Sequence, residues 1–532
     1  MKLRISFVLM ILIAFALIGC SSDKEGNEGQ DQQNSNNDQA GNPDEYDTDL
    51  RIAVSSNPNS LDPHMTTVAD SLEIARNFFE TLVALDENYE PQPMLAESYD
   101  ISDDGLTYTF HLRQGVNFHN GKEMTSEDVE ASMNRWLGLS IRAQSLLKGA
   151  EFKAVDTYTV EMNLDERASD ALDLLAASGQ FPAIMPKEVI DEETADGIQE
   201  YIGTGPFKFN EIRQDSYVHL VKNEDYNSLD SEPSGIVGKK EVFIENLYYD
   251  IVPDATTKIT GLQTGEYDIA DRVAFNHYDQ IMNNDELESY VNTDNSTLNI
   301  FFNKKDGIMQ DKKIRQAVNT AIDSDAVLLA SYSYDDLYVT HPSYMSVNHK
   351  VWSSDAGSES YNQADPEKAK KLLEEAGYDG ETVTIMSTRD YDFHYNTAIV
   401  VQEELEKIGM NVNLEIYDWP TLVEKRDDPG EWDILTVSFT HVTTPSQLLY
   451  LTPDYPGWVE DEKVYDLLGK LRQAEEQDEA VAYWEELQDY MWNDYVPHVM
   501  FGHTSVIIAT SKNLEGFKVF KGPIPWNTKV KK

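Results

Sequence analysis

One cysteine, Cys20, is all that the 532-residue chain contains. A single thiol excludes an intrachain disulfide, a cysteine-rich zinc site and a CxxC redox pair. Lysine and arginine are also scarce, 42 residues against 95 aspartates and glutamates, which gives a formal charge of −53. Because such a field repels phosphate backbones, we expect no nucleic-acid partner.

Glycine (28 residues) and proline (20 residues) are few, whereas hydrophobic residues make up 40% of the chain. This composition excludes collagen-like and wholly disordered proteins. The length predicts two to four domains or lobes at ~100 to 200 residues each. The sequence therefore describes a large globular protein with an acidic surface.

Residues 1–20 begin with two cations, Lys2 and Arg4, and continue as an almost unbroken apolar run from Ile5 to Ile18. The run is shorter than the ~20 residues that a membrane-spanning helix needs, so it predicts a secretion signal. Leu17-Ile18-Gly19-Cys20 resembles the bacterial lipobox, in which the cysteine carries two acyl chains after cleavage. We therefore expect a lipid anchor at Cys20 on the extracytoplasmic face of the cell membrane.

Residues 21–48 contain almost no apolar side chain. Such a segment cannot compensate the entropy lost on ordering, so it predicts a flexible tether between the anchor and the globule.

The globule opens with alternating residues at 50–54, which predict a strand. Apolar residues at helical spacing then predict a helix over 70–85, with Asp70 as its cap. Between residues 95 and 136, Asp103-Asp104-Gly105 predicts a tight turn, residues 107–112 alternate as a hairpin strand, and residues 125–128 predict a helix start. Further along, Gly377 after Leu372-Leu373 predicts a helix stop.

The segment 95–136 resembles the signature segment of family 5 extracellular solute-binding proteins, the peptide- and nickel-binding lipoproteins of ABC importers. Several further segments match that family in order along residues 49–532. They are Ser60-Leu61-Asp62-Pro63-His64, Gly203-Thr204-Gly205-Pro206-Phe207-Lys208-Phe209, Ile251-Val252-Pro253-Asp254-Ala255, Leu262 to Ile269, Ile314-Arg315-Gln316-Ala317-Val318, Ala321-Ile322-Asp323, Ala369 to Leu373, Ala376-Gly377-Tyr378 and Trp432-Asp433.

The resemblance implies an α/β, two-lobe periplasmic-binding-protein-like (type II) fold with a small additional domain inserted near its beginning. Mapped on the matching segments, lobe I takes 49–83, 198–280 and 508–532, the inserted domain takes 84–197, and lobe II takes 281–507. It also implies a monomer that binds a peptide or peptide-like ligand without a cofactor and passes it to the permease and ATPase subunits of an importer.

Peptide-binding members of the family neutralise the free amine of the ligand with an aspartate in a loop before a proline. The corresponding loop here, residues 434–445, contains no acidic residue, and His441 lies near the matching position. The usual recognition of an α-amine is therefore in doubt, which leaves open a different peptide class, a modified peptide or a non-peptide solute.

Four other positions are carried over from the resemblance as ligand contacts: Thr67, Phe301, Trp419 and Phe501. Trp419 is the first choice because an indole offers a large apolar face and one donor. For Trp419 and Phe501 a place in the hydrophobic core stays open as the alternative.

No catalytic motif such as HExxH, GxSxG or a P-loop is present, so the sequence does not predict an enzyme. The eleven histidines include no pair three or four residues apart, so no helical metal site is predicted. The first alternative is a receptor for a nickel chelate or another small non-peptide solute, which the missing aspartate favours and the scattered histidines disfavour. The others are a cell-surface hydrolase and a signalling or adhesion receptor without a permease.

Overall fold

The computed structural model describes residues 45–532. The predicted signal, Cys20 and most of the predicted tether lie outside these residues. The tether prediction is too long at its end, because Tyr46–Asp47 is already a strand paired with Lys529–Lys531, and the Tyr46 hydroxyl donates to Glu515. Within residues 45–532, no helix combines the length and the hydrophobicity needed to cross a bilayer.

An eleven-stranded mixed sheet organises the protein. From one edge to the other its strands are Asn411–Tyr417, Thr382–Thr388, Ile434–Thr440, Leu287–Phe302, His498–Ser511, Ile269–Val273, Asp49–Val54, Asn246–Ile251, Tyr217–Lys222 and Phe207–Arg213, with Tyr338–Val339 added beside His498–Ser511.

Two long antiparallel strands, Leu287–Phe302 and His498–Ser511, lie at the centre of this sheet and link its two halves. Their register shifts between Asn292 and Ser296 and again between Leu298 and Asn299. Such bulges bend a strand and redirect its side chains. The first irregularity lies next to Asn295, which lines the cavity described below.

A separate four-stranded antiparallel sheet lies in the region of the predicted inserted domain, in the order Ala96–Ile101, Thr107–Leu112, Thr159–Asn163 and Glu151–Asp156. Its inner face packs with Trp136 of a long helix in one hydrophobic cluster that draws on residues 82–184. The hydrophobic clusters that pack on the large sheet are made of other residues, so this region has a core of its own. The domain boundaries themselves stay a prediction.

The remaining strands are short pairs at the periphery: Val83–Leu85 with Pro91–Pro93, Lys518–Val519 with Pro523–Ile524, and Leu514–Glu515 with Lys529–Lys531. The α-helices are Ala69–Ala75, Ser126–Leu139, Ile141–Leu146, Ala171–Ala176, Lys187–Asp191, Ala255–Thr264, Tyr278–Met282, Lys312–Ala321, Ser324–Tyr332, Pro366–Ala376, Asp392–Lys407, Trp419–Lys425, Glu462–Gln473 and Gln477–Tyr490. Short 3-10 turns and one π-helical turn, Met491–Tyr495, complete the described secondary structure.

Several local predictions are confirmed. The strand Asp49–Val54 forms, and Thr125 and Asp128 make reciprocal capping hydrogen bonds at the start of Ser126–Leu139. Gly377 ends the helix Pro366–Ala376 with a left-handed φ of 77°, as the Ala-Gly-Tyr sequence indicates.

The helix predicted over 70–85 is wrong in its extent. It runs only from Ala69 to Ala75, Val68 rather than Asp70 is its cap, and residues 83–85 form a strand. The side-chain amide of Asn77 donates to the carbonyls of Glu73 and Ile74, and so caps the end of the helix. Gly203 and Gly205 pack against the next turn so closely that a Cβ on Gly203 would lie 1.9 Å from the Phe78 carbonyl oxygen.

Candidate ligand-binding cavity

A cavity of about 170 Å³ lies where widely separated segments of the chain meet. One part of its wall comes from the helix Ala69–Ala75 and the residues that follow this helix. A second part comes from the predicted inserted domain, at Arg142 and residues 176–179. A third part is residues 440–443, at the end of a strand of the large sheet. The wall carries both apolar and ionic groups, as do pockets that hold small organic ligands.

Two of the predicted ligand contacts, Thr67 and His441, line this cavity. Thr67 is exposed in the loop that leads into the helix Ala69–Ala75. His441 follows the strand Ile434–Thr440 directly, so the predicted loop 434–445 is a strand in its first seven residues and a loop only afterwards. The strand pairs with Leu287–Phe302, and that pairing fixes the position of His441.

The other three predicted contacts lie elsewhere. Phe301 is 2% exposed and stacks on Phe439 with ring centroids 5.3 Å apart, and Phe501 is fully buried in the core. Trp419 is half-buried at the start of its helix, where it contacts Tyr391 and His394. None of the three lines the cavity. Both phenylalanines lie on strands with their side chains in the hydrophobic core, and Trp419 packs against the start of the helix Asp392–Lys407.

Three histidines that are distant in the sequence meet beside the cavity. The His441 Nε2 lies 3.2 Å from the His503 Nδ1, and the rings stack with centroids 5.0 Å apart. His341 packs edge-on against His503 at 6.1 Å and pairs with Asp355. Sequence reasoning missed this group because its members are far apart along the chain. Within residues 45–532, no group of three or more histidine, cysteine or acidic side chains has the arrangement of a metal site.

The carboxylates of the cavity wall are paired with cations. Glu80 receives the Lys240 ammonium at 2.9 Å, the Tyr226 hydroxyl at 2.7 Å and the Thr204 hydroxyl at 2.9 Å. Burial lowers the pKa of Lys240, and the charge of Glu80 opposes that effect. Glu73 pairs with Arg272 in the same way, so neither carboxylate is left to bind a cationic ligand group.

Arg272 contacts three carboxylates, Asp70 at 2.8 Å together with Glu73 and Asp271. Arg76 donates instead to three main-chain carbonyls, those of Phe520, Lys521 and Pro523, at 2.6 to 3.0 Å. These contacts fix both guanidinium groups as parts of the wall.

Arg142 differs from both. Its Nε is buried without a hydrogen-bond partner, as the Arg76 Nε also is, but among residues 45–532 the rest of its guanidinium forms no hydrogen bond or ion pair either. Burial lowers the pKa of Arg142, and no neighbouring charge opposes that effect. Sequence reasoning did not select this residue, because nothing local distinguishes it from the other arginines.

The chain matches the family model described as "Bacterial extracellular solute-binding proteins, family 5 Middle" over residues 90–458. It is 30% identical over 499 residues to a probable peptide ABC transporter periplasmic-binding protein of Sinorhizobium fredii, covering 90% of this chain and 93% of that protein. It is 26% identical over 544 residues to the oligopeptide-binding protein AppA of Bacillus subtilis, covering 96% and 95%.

Among solved structures, the chain superposes on the periplasmic binding protein AgaA of A. tumefaciens R10 in complex with agropinic acid. The TM-score is 0.75 at 26% sequence identity, with 91% of this chain and 98% of that chain covered. These likenesses confirm the predicted α/β, two-lobe type II fold. The chain belongs to family 5 of the bacterial extracellular solute-binding proteins.

Proposed function

We propose that this protein is the solute receptor of an ABC importer, and that it captures a compact peptide or peptide-like ligand between its two lobes and delivers it to the permease. The observation that carries the proposal is the cavity, because it is built from segments of the chain that only the fold brings together. Binding energy favours the closed arrangement of the lobes, and no covalent step takes place.

The cavity volume of about 170 Å³ favours a compact solute. A cavity of ~150 Å³ can hold a benzene-sized molecule. The related proteins bear names that cover peptides, and one structure holds agropinic acid. We therefore favour a compact solute, such as a short peptide, over a long oligopeptide.

A lipid on Cys20 is the second part of the proposal. It rests on the lipobox-like sequence, since a paired acyl anchor holds a protein on a membrane without a spanning helix. The receptor would then stay on the outer face of the cell membrane, close to its permease.

Native mass spectrometry of the gently purified protein, before and after unfolding and refolding, tests both parts. Receptors that enclose a ligand retain it through purification, because dissociation waits for reopening. We expect a set of small peptide masses that disappears on refolding, and an intact mass that shows cleavage before Cys20 and added lipid. Peptides recovered as hydrolysed fragments would support the hydrolase alternative instead.

A nickel-chelate receptor is the second candidate, and one observation favours it. The His441 imidazole lies on the cavity wall, near the position at which the family resemblance implies an aspartate in peptide binders, and an imidazole is suited to contact a metal carried inside a chelate. Metal analysis of the same purified protein separates the candidates, because a chelate receptor would carry nickel together with an organic ligand and lose both on refolding.

A further inference from the structure

The charge of the cavity wall is opposite to that of the whole molecule. The chain carries 95 acidic residues and 42 lysines and arginines. The cavity wall instead carries five cationic side chains against two carboxylates: Arg76, Arg142, Lys240, Arg272 and Lys521 against Glu73 and Glu80. Asp70 and Asp271 also bind Arg272, so the local excess is one positive charge. In so acidic a protein, that excess favours an anionic ligand.

Four of the five cations are already engaged. Lys240 binds Glu80, Arg272 binds three carboxylates and Arg76 binds three carbonyls, while the Lys521 ammonium lies 4.8 Å from the centre of the Tyr89 ring. Arg142 is the cavity cation for which residues 45–532 supply no hydrogen-bond or ion-pair partner. The Arg142 side chain is half-buried and its Nε is fully buried. A buried polar group without a partner is costly, so a ligand that supplies a partner is favoured.

From this arrangement we propose that the ligand carries a carboxylate and that the Arg142 guanidinium binds it. The inference rests on the proposed function, since it assigns the class of solute that the same cavity takes. A guanidinium presents parallel N–H donors that match the two oxygens of a carboxylate. One unengaged cation matches one negative charge, whereas a phosphate group generally requires several donors of this kind.

The backbone beside Arg142 leaves room for this role. A Cβ at Gly179 would lie 3.2 Å from the Arg142 Nη1, so glycine at this position lets the guanidinium lie directly against the main chain. Arg142 belongs to the short helix Ile141–Leu146, whose Ser140 cap accepts a hydrogen bond from the Ala143 N–H. The side chain therefore projects from an ordered element toward the cavity.

The test uses refolded, ligand-free protein and three libraries of peptides with two or three residues. The first contains neutral residues with a free C-terminal carboxylate, and the second contains the same peptides as C-terminal amides. The third contains amides with one aspartate or glutamate, so that the carboxylate is on a side chain. Native mass spectrometry and calorimetry measure binding. We expect the neutral amides to bind about tenfold or more weakly than one of the two acidic libraries. The library that binds identifies the source of the carboxylate as the ligand's C-terminus or a side chain.

The variant Arg142→Gln should lose that discrimination, while Arg142→Lys should retain part of it. The matched control is Arg213→Gln, since Arg213 is 63% exposed in its side chain and lies outside the cavity. Arg142→Gln should also leave Tm unchanged or raise it, because it removes a half-buried charge for which residues 45–532 supply no partner. A lower Tm together with unchanged peptide selectivity would identify Arg142 as a structural residue.

The outcomes separate the two proposals. If the wild-type protein binds peptides but prefers neutral amides, or if Arg142→Gln binds as the wild type does, the carboxylate site is contradicted and the receptor function stands. If the wild-type protein carries no ligand from cells and binds none of the libraries, the peptide-receptor function is contradicted, and the carboxylate site fails with it.

Discussion

Glu404 is one of many carboxylates in this chain, but its surroundings change its chemistry. It is only 9% exposed, and its Oε2 accepts a hydrogen bond from the Asp323 N–H at 3.1 Å. Burial raises the pKa of Glu404 to about 7, while the hydrogen bond opposes that effect. The folded state therefore holds a proton here at a pH where the unfolded chain has released it.

This difference makes stability depend on pH in a defined direction. Because the folded pKa lies above the unfolded value, the contribution of Glu404 is present below about pH 4.5 and is lost as pH rises through 7. The variant Glu404→Gln keeps an acceptor for Asp323 and removes the titration. Relative to the wild type, it should gain about 2 to 3 kcal/mol of unfolding free energy between pH 5 and pH 8.

Urea unfolding at the two pH values measures the gain. Glu403→Gln is the matched control, since Glu403 is the preceding residue of the same helix and is exposed. The control should change by the same small amount at both pH values. Equal behaviour of the two variants would show that Glu404 is ionised in the folded protein at neutral pH.

At the scale of elements, the helix Glu462–Gln473 joins the large sheet's side of the molecule to the region of the predicted inserted domain. Its main-chain carbonyl at Arg472 accepts from the Ser169 N–H at 2.8 Å, and its Leu471 carbonyl accepts from the Ser169 hydroxyl at 3.0 Å. The Arg472 Nε reaches Asp170, which is 3% exposed and also accepts from the Ser446 hydroxyl. The end of one helix thus holds two regions together.

Replacing Arg472 by methionine should weaken this junction. The change keeps much of the side-chain volume but leaves the buried Asp170 carboxylate without its cation, so we expect a loss of about 1 to 3 kcal/mol of unfolding free energy. Lys470→Met is the matched control, because Lys470 lies on the same helix and pairs with Asp466 at the surface. Its loss should stay below about 1 kcal/mol. Equal losses in urea unfolding would argue against a role for the Arg472 contact.

At the scale of the whole molecule, the formal charge of −53 means that repulsion between like charges destabilises the folded state. Salt shortens the range of that repulsion, from ~30 Å at 0.01 M to ~3 Å at 1 M. We therefore expect the protein to be more stable in saline solution than in dilute solution.

Thermal unfolding across this range of sodium chloride tests this expectation. Tm should rise steadily with salt, because screening relieves repulsion that is stronger in the compact state than in the expanded one. Choline chloride at the same concentrations is the control, since it screens charge without offering sodium as a specific ligand. A Tm that stays flat or falls in both salts would contradict this expectation.

Much of the fold was open to prediction because its signals are local. The cap at Thr125 and the stop at Gly377 depend on residues within one helical turn, and both form as expected. The helix predicted through residue 85 fails for the complementary reason. Asn77, which caps its end at Ala75, is local, but residues 77–78 also pack closely against Gly203 and Gly205, which lie far away in the sequence.

The sequence by itself determined the acidic composition, the family and the type II α/β fold. It also selected Thr67 and His441, which line the cavity, although their role as ligand contacts stays a prediction. Only the tertiary structure decided that Phe301 and Phe501 face the core, that His441 meets His503, and that Arg142 reaches the cavity without a partner. The physical reason is one of range. Helix caps and turns are set by neighbours along the chain, whereas burial and charge pairing depend on segments that folding brings together.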